Sequence, residues 1–64
     1  MKEKIIEVLN NSDKALDIYD LQNAMDIHTV GDTSLLMTTL RELEDDTVIY
    51  HSNKDKYMML EKSH

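Results

Sequence analysis

The chain has 64 residues, 41% of them hydrophobic, and thirteen Asp/Glu against seven Lys/Arg give a formal net charge of −6. With no cysteine, no proline and one glycine, it excludes disulfide frameworks, thiolate metal sites, cysteine nucleophiles and collagen-like or linker-type chains. No apolar run reaches the ~18 residues of a membrane span, and the ~300 Å³ or more of a usual enzyme pocket is hard to enclose in a single small domain with a thin core, so a binding module is expected over a catalyst.

The predicted elements begin with a helix. Ile5, Ile6, Val8 and Leu9 recur at helical spacing and form one apolar stripe, while Lys2, Glu3, Glu7 and Asn10 face away. Asn10, Asn11 and Ser12 are poor helix-interior residues, so the helix ends near Asn11. A turn at residues 12–14 precedes a very short extended piece, Ala15-Leu16. Asp17 then caps a second, short helix over residues 18–25, with Asp20 three positions on completing a capping box. Ile18, Leu21 and Met25 share its apolar face, with Ala24 beside them.

Residues 26–32 read as a connector in which Gly31 supplies backbone freedom. Asp32 or Thr33 caps a third helix running to about Asp45, with Leu36, Leu40 and Leu43 buried and Leu35 and Met37 flanking them. Ser34, Thr38, Arg41, Glu42 and Asp45 form its opposite face. The β-branched and aromatic residues 47–51 favour a strand, residues 52–55 a polar turn, and residues 56–60 a second strand, with residues 61–64 fraying. Neither a lone hairpin nor these helices are stable unaided. The expected fold is therefore α+β: a winged helix-turn-helix, with a three-helix core and a C-terminal β-hairpin wing, in one domain over residues 1–64.

Charge is distributed unevenly along this fold. Residues 1–16 balance at 0, residues 17–32 carry Asp17, Asp20, Asp26 and Asp32 unopposed for −4, residues 33–46 reach −3, and residues 47–64 reach +1. The middle of the chain repels phosphate, and only the last stretch is mildly basic.

Catalytic and metal-binding constellations find little support. His28, His51 and His64 fall on a connector, a strand and a tail without ligand spacing, and read as surface or edge residues. Leu43-Glu44-Asp45-Asp46 lacks the glycine and alternating acids of a calcium loop. The expectation is a non-enzymatic chain with no catalytic residue, no metal and no cofactor.

A helix-turn-helix presents its second motif helix to nucleic acid. Ser34, Thr38 and Arg41 supply hydroxyls and a guanidinium there, and Lys54 and Lys56 at the wing tip suit phosphate. Lys2 and Lys4 add a third contact point if the first helix lies alongside. The plainer reading is that outward Ser and Thr are surface filler and that two wing lysines prevent strand-edge pairing. With so few cations, binding by this chain alone is expected to be weak and sensitive to salt. The methionines Met25, Met37, Met58 and Met59 are expected in the core, and Tyr57 as a half-buried strand residue.

Three stretches carry a family resemblance: residues 1–9 (MKEKIIEVL), residues 40–46 (LRELEDD) and residues 54–62 (KDKYMMLEK). Together they resemble the N-terminal winged-helix domain of bacterial ribonuclease R over nearly the whole chain. The family's wing commonly ends in a basic residue, tyrosine, glycine and an aliphatic; Lys56 and Tyr57 match, Met58 replaces the glycine, and Asp46-Thr47 stands where a glycine follows the last helix. The resemblance implies the leading segment of a longer 3′-to-5′ exoribonuclease, followed by cold-shock, magnesium-dependent catalytic and S1 domains. This segment would help engage structured RNA without catalysing. The expected partner is thus RNA, bound by a monomer in the cytoplasm, an address also favoured by the lack of a leader. The alternatives are a small DNA-binding transcription regulator, which would ordinarily dimerise, and a winged helix used for protein contact.

Overall fold

Ile5 and Leu9 sit one turn apart on α1 (Lys2–Asn10) and are almost completely enclosed in the computed structural model, which describes residues 1–62. Ile6 and Val8 are half-buried beside them. The helix stops at Asn11, whose N–H donates to the Glu7 carbonyl while the Ser12 N–H donates to the Leu9 carbonyl.

The capping box is present at α2 (Ile18–Ala24). Asp17 accepts from the Asp20 N–H at 2.9 Å, and Asp20 accepts from the Asp17 N–H at 3.2 Å. Leu21 is fully buried, Ile18 and Met25 are half-buried, and Ala24 is exposed.

The connector is shorter than the sequence reading. α3 spans Val30–Asp45, and its N-cap is Thr29, whose Oγ1 accepts from the Asp32 N–H at 3.1 Å; neither Asp32 nor Thr33 caps it. Gly31 lies inside the first turn without a positive φ. The left-handed residue is Asp26, at φ 56°. There the Ile27 N–H reaches the Gln22 carbonyl and the Asp26 N–H the Asn23 carbonyl, the paired closing bonds of a Schellman motif. α3 ends the same way around Thr47, at φ 58°, with Val48 N–H on Leu43 O and Thr47 N–H on Glu44 O.

β1 (Ile49–His51) and β2 (Tyr57–Met59) pair antiparallel, with Ile49 opposite Met59, Tyr50 opposite Met58 and His51 opposite Tyr57. On the other side of β2, Leu16 and Tyr57 exchange two backbone hydrogen bonds of 2.8 and 2.7 Å, so the short extended piece joins the sheet at one residue. A 3₁₀ turn, Leu60–Lys62, follows β2 where fraying is expected, while residues 63–64 of the expected frayed end, including His64, lie outside the described residues.

The elements share one core: Ile5, Leu9, Leu16, Leu21, Ile27, Leu36, Leu40, Leu43, Ile49 and Met59. Burying side chains of this kind contributes about 1.5–3 kcal/mol each. Thr39, the one buried polar residue among those described, donates its hydroxyl to the Leu35 carbonyl at 2.7 Å and is thereby satisfied. The methionine expectation fails at Met37, which is exposed with Leu35; Met59 is buried and Met25 and Met58 are half-buried. The result is a small α+β domain of three helices and a two-stranded hairpin, an arrangement compatible with a winged helix.

Candidate nucleic-acid interface

The outer face of α3 is where periodicity puts it. Ser34, Thr38 and Arg41, at i, i+4 and i+7, are all exposed, opposite buried Leu36, Leu40 and Leu43. Lys54 and Lys56 are exposed in the turn between β1 and β2. The Ser52 side chain organises that turn: its Oγ accepts from the Lys54 and Lys56 N–H groups, each at 3.3 Å, while Asp55 takes φ 59°. Among the described residues, the side chains of Arg41, Lys54 and Lys56 make no ion pair.

Only two of these five residues share a concavity. Arg41 and Lys54 line a groove of about 680 Å³ between the start of α2, α3 and the hairpin. Ser34, Thr38 and Lys56 stand outside its lining. Lys2 is compromised as a further contact, because its Nζ lies 3.3 Å from Glu42 Oε2 on α3.

The groove also holds residues that the sequence did not mark as functional. His51 on β1 stacks on Tyr57 of β2, with ring centroids 4.4 Å apart and planes 15° from parallel. Its Nδ1 lies 2.7 Å from Glu44 Oε2 and its Nε2 3.2 Å from Asp55 Oδ1. Both ring nitrogens thus face carboxylates, and the protonated ring alone can donate to both. No sequence spacing could reveal this cluster, since Glu44, His51 and Asp55 belong to a helix, a strand and a turn. Tyr19 and Met37 form part of the wall, and both stand off the apolar stripes of their helices.

The electrostatics are mixed. Asp17, Glu44 and Asp55 set three negative charges against Arg41 and Lys54, leaving −1 when His51 is neutral. Burial pushes the Tyr57 phenol above its ordinary value of 10.0; Glu44 and then Asp55 add to the rise, and Arg41 opposes it.

Elsewhere the histidine and acid arrangement offers no ligand set. Among the described residues His28 pairs only with Asp26, at 2.6 Å, and no group of three or more His, Asp or Glu there could hold a metal ion. No helix among the described residues is long and apolar enough to cross a membrane. Compared with models of protein families, with curated proteins and with solved structures, the chain matches none.

Proposed function

We propose that this chain is a winged helix-turn-helix module that assists RNA binding without catalysing, as the leading segment of a cytoplasmic, ribonuclease R-like 3′-to-5′ exoribonuclease. α2 and α3 are the helix-turn-helix pair, and the β1–β2 hairpin is the wing. The observation that carries the reading is the meeting of Arg41 and Lys54, from two separate elements, on one groove with neither charge paired among the described residues.

The roles follow from side-chain chemistry. Arg41 forks onto a phosphate pair or a base edge, Lys54 and Lys56 act as compact cations on the backbone, and the Ser34 and Thr38 hydroxyls donate to phosphate or sugar oxygens. Three cations displace few counterions, so the module binds weakly as a monomer and larger basic domains supply most of the affinity. The acids at and just beyond the C-terminal end of α3, Asp45 and Asp46, repel phosphate and confine RNA to the helix face N-terminal to them, which carries Ser34, Thr38 and Arg41.

Titrating the isotopically labelled chain with a short structured RNA, followed by NMR at low and moderate salt, tests this reading. The expected shifts cluster at Ser34, Thr38, Arg41, Lys54 and Lys56 and fade as salt rises. Unchanged spectra at low salt would refute it.

A further inference from the structure

The hairpin turn sets a carboxylate between two lysines without pairing it to either. Asp55 separates Lys54 from Lys56, yet among the described residues its one ion pair is with His51 Nε2, at 3.2 Å. The other ring nitrogen, Nδ1, lies 2.7 Å from Glu44 Oε2 on α3. A neutral imidazole has a single N–H and donates to one carboxylate, so its second nitrogen then turns a lone pair on the other. The contact that gives way is the longer one, to Asp55. That side chain is 92% exposed and has solvent to swing into, whereas the His51 ring is stacked on Tyr57.

Histidine is the side chain that ordinarily changes charge between about pH 5 and 8. The charged and titratable groups around this ring are Glu44 and Arg41 from α3, Lys54 and Asp55 from the turn, Tyr57 from β2, and Asp17 and Tyr19 at the start of α2. The Tyr57 phenol, raised above 10.0 by burial and by Glu44 and Asp55, stays neutral across that range. Glu61, on the 3₁₀ turn that also packs against β1, lines a different concavity. Protonating His51 takes the charge of the groove lining from −1 to 0. At the same time it gives Asp55 a cationic partner other than its neighbouring lysines.

We infer that His51 is a proton-operated regulator of the hairpin turn: protonated, it draws the Asp55 carboxylate to itself and leaves Lys54 and Lys56 to phosphate; neutral, it releases Asp55 to compete with phosphate for them. This inference rests on the RNA reading and adds regulation to it. His51 acts through Asp55 and is a positioning residue, with no contact of its own to RNA.

The test measures affinity for a short structured RNA at fixed salt, at about pH 5.5 and about pH 7.5. The full chain carries His28→Gln and His64→Gln, so that His51 is the only histidine. Binding should be about two- to fivefold tighter at the lower pH, the scale of an exposed charge contact. His51→Gln should level the two affinities. Asp55→Asn should raise affinity at the higher pH and shrink the difference, and asparagine suits the φ of 59° at that position. NMR of the chain without RNA should show the Asp55 carboxyl and the Lys54 and Lys56 amides shifting along the titration of the His51 ring. Equal RNA affinity at both pH values, a pH dependence that survives His51→Gln, or an Asp55 signal indifferent to the ring would each overturn the regulation and leave the RNA interface standing. Absence of RNA binding at either pH would refute the interface and the regulation together. If His51→Gln fails to fold, Asp55→Asn in the exposed turn decides the matter, and an unaltered pH dependence there would overturn the inference.

Discussion

His51 Nδ1 and Glu44 Oε2 stand 2.7 Å apart and join the hairpin to the last turn of α3. Both side chains are partly exposed, so solvent limits the pair to about 0.2–1 kcal/mol, and the stack on Tyr57 adds about 0.5–1.5 kcal/mol. His51→Ala should therefore destabilise the domain by about 1–2 kcal/mol in chemical denaturation. A double-mutant cycle with Glu44→Ala isolates the His51–Glu44 contact; a coupling of zero would mean that this contact does not hold the hairpin.

The start of α3 supplies a contrast between neighbours. Thr29→Ala removes the acceptor for the Asp32 N–H and should cost about 1 kcal/mol. Gly31→Ala should stabilise by about 0.4–1 kcal/mol, because Gly31 is helical without a positive φ and an added Cβ meets nothing within 4 Å. Thermal melts of the two variants should move in opposite directions, and a destabilised Gly31→Ala would contradict the helix boundary.

The end of α3 carries strain. Thr47 is β-branched yet sits at φ 58°, in the closing position of the Schellman motif where glycine is usual. Thr47→Gly keeps both closing bonds, since both use backbone groups, and relieves the left-handed conformation. The expected gain is about 1 kcal/mol, read from the denaturation midpoint. A loss of stability would show that the threonine hydroxyl, which donates to the Asp46 carbonyl, outweighs the strain.

Tyr57 predicts a response to alkali. Its phenol is raised above 10.0 in the folded chain, first by burial and then by Glu44 and Asp55. The folded state therefore holds this proton more tightly than the unfolded state. The contribution is fully present below pH 10 or so and is lost as pH rises through the folded value. Stability measured from about pH 9 upward should fall less steeply in Tyr57→Phe than in the native chain. Equal slopes would contradict the assignment.

Much of this architecture was legible because it is local. The Ile5–Leu9 stripe, the Asp17–Asp20 capping box and the Leu36–Leu40–Leu43 face each follow from spacing within one element. Thr29 and Asp32 have the same three-residue spacing as Asp17 and Asp20, but the glycine between them suggested a loop. Asp26, without glycine, took the left-handed position instead. The exposure of Met37 is not legible in the sequence, because one methionine beside a leucine stripe fits either the core or its edge. The exposure of Ser34, Thr38 and Arg41 was readable, whereas the groove was not: it joins α2, α3 and the hairpin through the packing of distant residues. Likewise, nothing in the order of residues brings His51 to Glu44.

The salt dependence of RNA affinity tests the central claim most directly. If Arg41, Lys54 and Lys56 each neutralise one phosphate, log affinity should fall against log salt with a slope of about −2 to −3. Arg41→Gln and Lys54→Gln should each lessen that slope by about 1 while leaving the fold unchanged. A slope near zero, or one that neither substitution alters, would contradict an RNA interface built on α3 and the hairpin turn.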